Sequence, residues 1–193
     1  MKLNSNYWEN RYQSHETGWD VGEITTPLKE YIDQLQDKSI KILIPGAGNG
    51  YELEYLLKKG FSNSYVADFA ETPLQNIKKR IPYIKEKQLI HSDFFDLEGQ
   101  YDLIIEQTFF CALNPELRPK YVQKMKSLLK ANGKIMGLLF QFPLTEVGPP
   151  FGGSKEEYLK LFSDGFKIKT LETAYNSITP RKGNELFFIF SKK

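Results

Sequence analysis

The stretch "IKILIPGAGNGYELEYLLKKG" runs from Ile40 to Gly60 and changes period midway. Ile40–Pro45 is a continuous apolar run of strand length, whereas Leu53, Leu56 and Leu57 recur at helical spacing. Between them stand Gly46, Gly48 and Gly50 at alternate positions. Glycine admits left-handed backbone and carries no Cβ, so a ligand can come close to such a turn. The helix that follows opens its unpaired N–H groups at the same place. The structural alternative is that these glycines serve only tight strand–helix packing.

The alternation continues on both sides. The spacing predicts strands at Ile40–Pro45, Ser64–Asp68, Gln88–His91, Tyr101–Glu106 and Lys134–Phe142. Helices are expected between them, near Tyr51–Lys59, Pro73–Arg80 and Pro115–Lys130. An earlier helix is expected from Pro27 to Gln36, capped by Thr26; Thr72-Pro73 and Asn132-Gly133 mark later helix ends. Ser154 and Glu157 suit a capping box for a helix carrying Tyr158, Leu161 and Phe162. The last strands, Phe166–Ala174 and Glu185–Ser191, are joined only by a loop and are expected to pair antiparallel. Residues 1–23 are polar and aromatic and show no period. The pattern is that of an α/β fold: a doubly wound, mostly parallel seven-stranded sheet with an antiparallel C-terminal strand and helices on both faces.

A chain of 193 residues has room for one domain, residues 1–193, with a full core beneath one site. The balance of 26 basic to 24 acidic residues, with no basic block, argues against a nucleic-acid partner. The lone Cys111 allows neither an intrachain disulfide nor a Cys-based zinc cage, and His15 and His91 lack partners at metal-ligand spacing. No metal is expected. No run reaches membrane-spanning length and the N-terminus lacks a signal-peptide core, so a cytoplasmic protein without a membrane partner is expected.

In a doubly wound sheet, ligands bind at the carboxyl ends of strands where the winding reverses. A dinucleotide fingerprint would place glycine where Tyr51 stands, and a P-loop would need Gly-Lys-Ser/Thr, which is absent. Glu52, just beyond the turn, would repel a pyrophosphate but tolerate a cation. S-adenosylmethionine carries a sulfonium, an ammonium and a carboxylate, and no phosphate. Asp68 closes the second strand and suits both ribose hydroxyls; helix capping is its alternative role. Asp93 in "HSDFF" suits an adenine amine, with Phe94 or Phe95 covering the ring; a plain loop aspartate is the alternative. The order of these signals, each at a consecutive strand end, is more specific than any one of them.

These residues resemble a class I S-adenosylmethionine-dependent methyltransferase with a Rossmann-like fold. "NYWENRYQSHETGWDVG", "FFCALNPELRPKY", "VGPPF" and "PRKG" together resemble the thiopurine methyltransferase family, nearest to its halide/thiol (thiocyanate) branch, over nearly the whole chain. The resemblance implies an N-terminal lid, residues 1–26, that brings Trp8 and Arg11 over the cofactor, ahead of a core spanning residues 40–193. It places Trp19 and Asp20 near the methyl group, and Gly46, Gly48, Gly50, Asp68, Asp93 and Phe94 at cofactor positions. Glu106, Gln107, Thr108 and Phe109 match the stretch facing cofactor and acceptor, and Pro149-Pro150-Phe151 a loop closing the cavity. Thiopurine-type members often carry Asp-Arg where this chain has Glu106-Gln107, and commonly Trp where it has Tyr12. The missing arginine argues against a bulky thiopurine as acceptor.

The resemblance therefore implies an acceptor that is a thiol, a halide, thiocyanate or a similar small soft nucleophile. Charges disappear when an anion takes a methyl from a sulfonium, so a dry aromatic pocket is expected instead of a strong base. Trp19, Thr108, Phe109, Phe110 and Phe140 or Phe142 are candidates for its wall, with core packing as the alternative for the rings. Cys111 reads as a small buried hydrophobe. Arg118 is expected to bond a helix end, and Arg181 is the better candidate for an anion. The expected partners are the cofactor and a small molecule or anion, acting on a monomer. A nucleic-acid or protein methyltransferase, or a non-catalytic cofactor-binding module, are the competing classes.

Overall fold

The computed structural model describes residues 3–193. Strand β1, Ile42–Pro45, is buried along its whole length. Its alternate side chains divide between two cores. Ile42 and Ile44 pack with Leu28, Ile32, Leu53, Leu56 and Ile77, while Leu43 packs with Tyr121, Met125, Phe162 and Phe188. The first set brings in helices α2 (Thr26–Asp33), α3 (Tyr51–Lys58) and α4 (Glu71–Arg80); the second brings in α5 (Arg118–Leu128) and α6 (Lys155–Phe162). A strand covered on both faces has no polar side to show, which is why it reads as an unbroken apolar run. Each of these buried aliphatic side chains contributes about 1.5–3 kcal/mol.

The other strands are β2 (Ser64–Asp68), β3 (Leu89–His91), β4 (Tyr101–Gln107), β5 (Leu129–Phe140), β6 (Phe166–Thr173) and β7 (Glu185–Lys192), in the sheet order β3-β2-β1-β4-β5-β7-β6. β1 to β5 run parallel, and β7 is antiparallel to both neighbours, β5 and β6. The winding reverses between β1 and β4, which opens a crevice above their carboxyl ends. Among the described residues no helix is long and apolar enough to cross a membrane.

Three expectations are corrected. Residues Ser5–Gln13, read as aperiodic, form a helix, α1, capped by the Asn4 side chain, which accepts from the Tyr7 N–H at 3.0 Å. It has one buried residue, Tyr12, so no apolar stripe announces it. Helix α4 is capped at long range and not by Thr72. The Glu9 carboxylate of α1 accepts the N–H of Glu71 at 2.8 Å, the N–H of Thr72 at 3.1 Å and the Thr72 hydroxyl. β5 begins five residues before the expected Lys134, through a register shift against β4 that contains Asn132 at φ 63°. The Ser154 cap is present, its hydroxyl accepting from the Glu157 N–H at 3.2 Å.

Candidate active site

A cavity of about 980 Å³ lies above the carboxyl ends of β1, β2 and β4 and is roofed by α1 and the segment after it. Its floor is the glycine turn. Gly48 sits at φ 51°, and a Cβ there would come 2.7 Å from the Tyr12 hydroxyl, so only glycine leaves room for the roof. Over Gly46 lies the Phe109 ring, 2.2 Å from where a Cβ would stand. Gly50 is a correction. It is absent from the cavity wall and faces α4, where a Cβ would collide with Ile77 Cδ1 at 2.6 Å. Its role is the packing alternative.

Asp68 ends β2 on the cavity wall and is 8% exposed. One oxygen accepts from the Gly48 N–H at 3.0 Å and the other from the Ala70 N–H at 2.9 Å, so it ties the glycine turn to the start of α4. Burial pushes its carboxyl above the usual range, partly offset by those bonds. A carboxylate has about four acceptor sites, so this use leaves capacity for hydroxyls from the cavity. Asp93 lies exposed on the same wall, with one oxygen accepting from the Phe95 N–H at 2.8 Å. Phe94 is buried beside it against Phe109 and Tyr121 and also reaches the wall.

Glu106 is the second correction. It is fully buried and outside the wall. One oxygen accepts from the Phe109 N–H at 2.8 Å and the Phe110 N–H at 2.9 Å, and the other accepts the Tyr121 hydroxyl at 2.5 Å. Burial pushes its carboxyl up to about 7 despite these donors. Its alternation with Gln107 along β4 sends it into the α5 side of the core. There it anchors the turn after β4, in which Thr108 is held at φ 56°, a conformation that costs a non-glycine residue about 1–3 kcal/mol. That turn presents Thr108 and Phe109 to the cavity and sends Phe110 into the core against Tyr121, Tyr158 and Phe162.

The roof is aromatic. Trp19 meets Trp8 edge-on at 5.4 Å and Tyr12 at 5.7 Å, with the Arg11 guanidinium 5.3 Å from the Trp19 ring centre. Ser5 donates to the Phe69 carbonyl at 2.7 Å, and Glu9 caps α4, so α1 is docked on the β2–α4 corner. Asp20 is held by the Gly22 N–H at 2.7 Å, by Asn49 and by the Tyr51 hydroxyl at 3.4 Å.

Phe140, Cys111, Gln107 and Arg181 also line the cavity. Phe142 packs on Phe140 at 5.0 Å, behind the wall. Arg181 donates through Nη2 to the Trp19 carbonyl at 2.7 Å, while its Nη1 lies 3.6 Å from buried Glu185 and makes no hydrogen bond. Gln107 accepts from the Thr25 hydroxyl at 3.1 Å and leaves its own Nε2 unpartnered. Burial pushes the Cys111 thiol well up, so it stays protonated. Arg118 is buried elsewhere, bonding Glu157 at 2.5 Å and the Gly152 carbonyl at 2.7 Å. Sequence reasoning had not placed Thr25 or Ser92 on the cavity wall, nor Glu9 in the anchoring of its roof. Thr25 and Glu9 stand at no strand end, and Ser92 lies within "HSDFF", where Asp93 and Phe94 drew the reading.

This is the fold of Rossmann-like methyltransferases. A Burkholderia thailandensis 1,6-didemethyltoxoflavin-N1-methyltransferase with bound S-adenosylhomocysteine superposes with TM-score 0.80 at 16% identity, covering 99% of this chain and 88% of that one. A TehB-like methyltransferase from Corynebacterium glutamicum gives 0.70 at 20% identity, covering 98% and 100%. The family model for thiopurine S-methyltransferase (TPMT) matches residues 3–191, and the chain belongs to that family of S-adenosylmethionine-dependent methyltransferases. Probable thiol methyltransferase 2 of Arabidopsis thaliana is 30% identical, over 92% of this chain and 81% of that protein. Thiocyanate methyltransferase 1 of Brassica oleracea is likewise 30% identical over 92% and 81%, and the thiopurine S-methyltransferase of Acinetobacter baylyi 25% identical over 92% of each.

The cavity fits the cofactor of this family. It offers a floor without side chains at Gly48, a carboxylate with spare acceptors at Asp68 and aromatic walls at Trp8, Trp19 and Phe94.

Proposed function

We propose that this enzyme methylates a small soft nucleophile (a thiolate, thiocyanate or a halide) by in-line displacement in a desolvated, aromatic-walled pocket. The observation that carries the proposal is the part of the cavity wall after β4 and β5. There Phe109, Phe140, Arg181 and Gln107 all line the wall, and Arg181 Nη1 and Gln107 Nε2 make no hydrogen bond among the described residues. When bound, the cofactor supplies an electrophilic methyl group on a sulfonium. Asp68 holds the ribose, Asp93 and Phe94 the adenine, and Trp8 and Trp19 close over the methionyl end. Gly46 and Gly48 give the backbone close approach. Thr108 and Phe109 would position the acceptor, and Phe140 would exclude water from it.

Arg181 brings a positive charge to the cavity wall for an anion, and none of the surrounding groups is placed as a base. None is needed: halide and thiocyanate carry no proton to lose, and a thiol of solution pKa about 8.5 is partly ionised near neutrality. The names of the plant relatives agree with this reading, as does glutamine at 107 in place of arginine.

The test is incubation with S-adenosylmethionine and iodide, thiocyanate, bisulfide or an aryl thiol, with methylated product followed by gas chromatography. Product from at least one acceptor is expected. No product from any of them, with cofactor binding shown by calorimetry, removes the proposal.

A further inference from the structure

Among the described residues Glu52 is a buried carboxylate that no side chain donates to, its own backbone N–H being the donor it has. It occupies the second position of α3, immediately after the glycine turn, on the cavity wall and 6% exposed. Asp68 accepts two backbone N–H groups and Glu106 three donors, and Glu185 has Arg181 at 3.6 Å. Among the described residues no side chain donates to Glu52 and no cationic nitrogen pairs with it. The charges that act on it come from the lid, from α4 and from the loop before β7. Asp20 opposes its ionisation, while Arg181 and Arg80 favour it from a distance. Arg80 is committed to Glu54 at 2.6 Å, and Asp20 to Gly22, Asn49 and Tyr51.

A buried carboxylate without a partner is costly, and the N-terminus of α3 offsets only part of that cost. Such a group is a receptor for a cation. Resting on the reading of the cavity as the cofactor site, we infer that Glu52 receives the ammonium group of the cofactor's methionyl end. The ammonium carries N–H donors and the sulfonium carries none, so the carboxylate discriminates between the cofactor's two positive groups. The position agrees: Glu52 and Asp20 both line the cavity, and Asp20 acts on Glu52. Burial pushes the Glu52 carboxyl up to about 7, so pairing near neutrality also drives a proton off it.

The test compares two ligands on wild type and Glu52→Gln. S-adenosylhomocysteine carries the ammonium; 5′-methylthioadenosine keeps the adenosyl thioether and lacks the amino-acid portion. Calorimetry is expected to show about a tenfold or larger loss of S-adenosylhomocysteine affinity in the variant, because a charge-assisted bond is removed. Affinity for 5′-methylthioadenosine is expected to change less than about twofold. Wild type should release protons on binding S-adenosylhomocysteine near pH 7, seen as a buffer-dependent enthalpy, and the variant should not. The variant should also unfold no earlier than wild type at pH 8, since it loses a buried charge. A loss under roughly fivefold for S-adenosylhomocysteine, or equal losses for both ligands, overturns the inference. Failure of wild type to bind either ligand would instead sink the cofactor reading itself.

Discussion

Glu106 spends its whole carboxylate inside the protein, on two backbone N–H groups and the Tyr121 hydroxyl. It thereby builds the turn that delivers Thr108 and Phe109 to the cavity while touching no part of it. Its folded-state value near 7 lies above the ordinary 4.5, so the native protein holds this proton more tightly than the unfolded chain. The stability it lends is full below about pH 4.5 and drains away as pH rises through about 7, at up to about 1.4 kcal/mol per unit. Glu106→Gln removes that dependence, with Glu52 keeping its own share in the same window. Unfolding free energies from urea titrations at pH 5 to 8 should fall more steeply for wild type, by about 1–3 kcal/mol over the range. Parallel slopes would show that Glu106 titrates as an exposed carboxylate does. The residue also marks where sequence reading stopped. "EQTFF" places two polar side chains at a strand end, and a strand buried on both faces gives no sign of which one turns to the crevice.

At the scale of elements, β1, its turn and α3 were legible because burial on both faces leaves an apolar run that glycines interrupt abruptly. Asp68 was legible for a similar reason: a carboxylate ending an apolar strand needs an explanation. Helix α1 was not, since it is fastened by polar contacts to distant residues and not by an apolar stripe. Gly50 looked like the third member of a ligand-facing set, and only the position of α4 shows that it serves Ile77. The α1 attachment is itself testable. Glu9→Gln removes the charged acceptor from the start of α4, and an N-cap of this kind is worth about 0.5–2 kcal/mol. Thermal unfolding should show that loss, and cofactor dissociation should quicken because the roof is held through the same contact. Unchanged stability would mean that the Glu9 contact is no more than a solvated surface bond.

Across the whole molecule, stability is distributed unevenly. The two cores meet along β1, β4, β5 and β7, whereas α1 and the segment to Asp20 rest on a few polar bonds and the Trp8–Tyr12–Trp19 stack. Amide hydrogen exchange should therefore be slowest in β4, β5 and β7 and much faster across residues 5–20. Adding S-adenosylhomocysteine should slow exchange in residues 5–20 and in the 46–50 turn by about tenfold or more, leaving β5 and β7 unaltered. Uniform protection of all segments would indicate global stabilisation without closure of the roof.

β7 joins two strands that would otherwise stand apart, and this bears on how the sheet closes. It follows β6 along the chain, yet it is inserted between β5 and β6 and follows the loop bearing Arg181. Until it docks, the outer edge of β5 stands bare and β6 has no neighbour to join. A polypeptide at that stage displays two unpaired sheet borders, the usual template for clumping with its siblings. Docking of this hairpin is thus both the sealing of the sheet and the delivery of an arginine to the wall of the chamber.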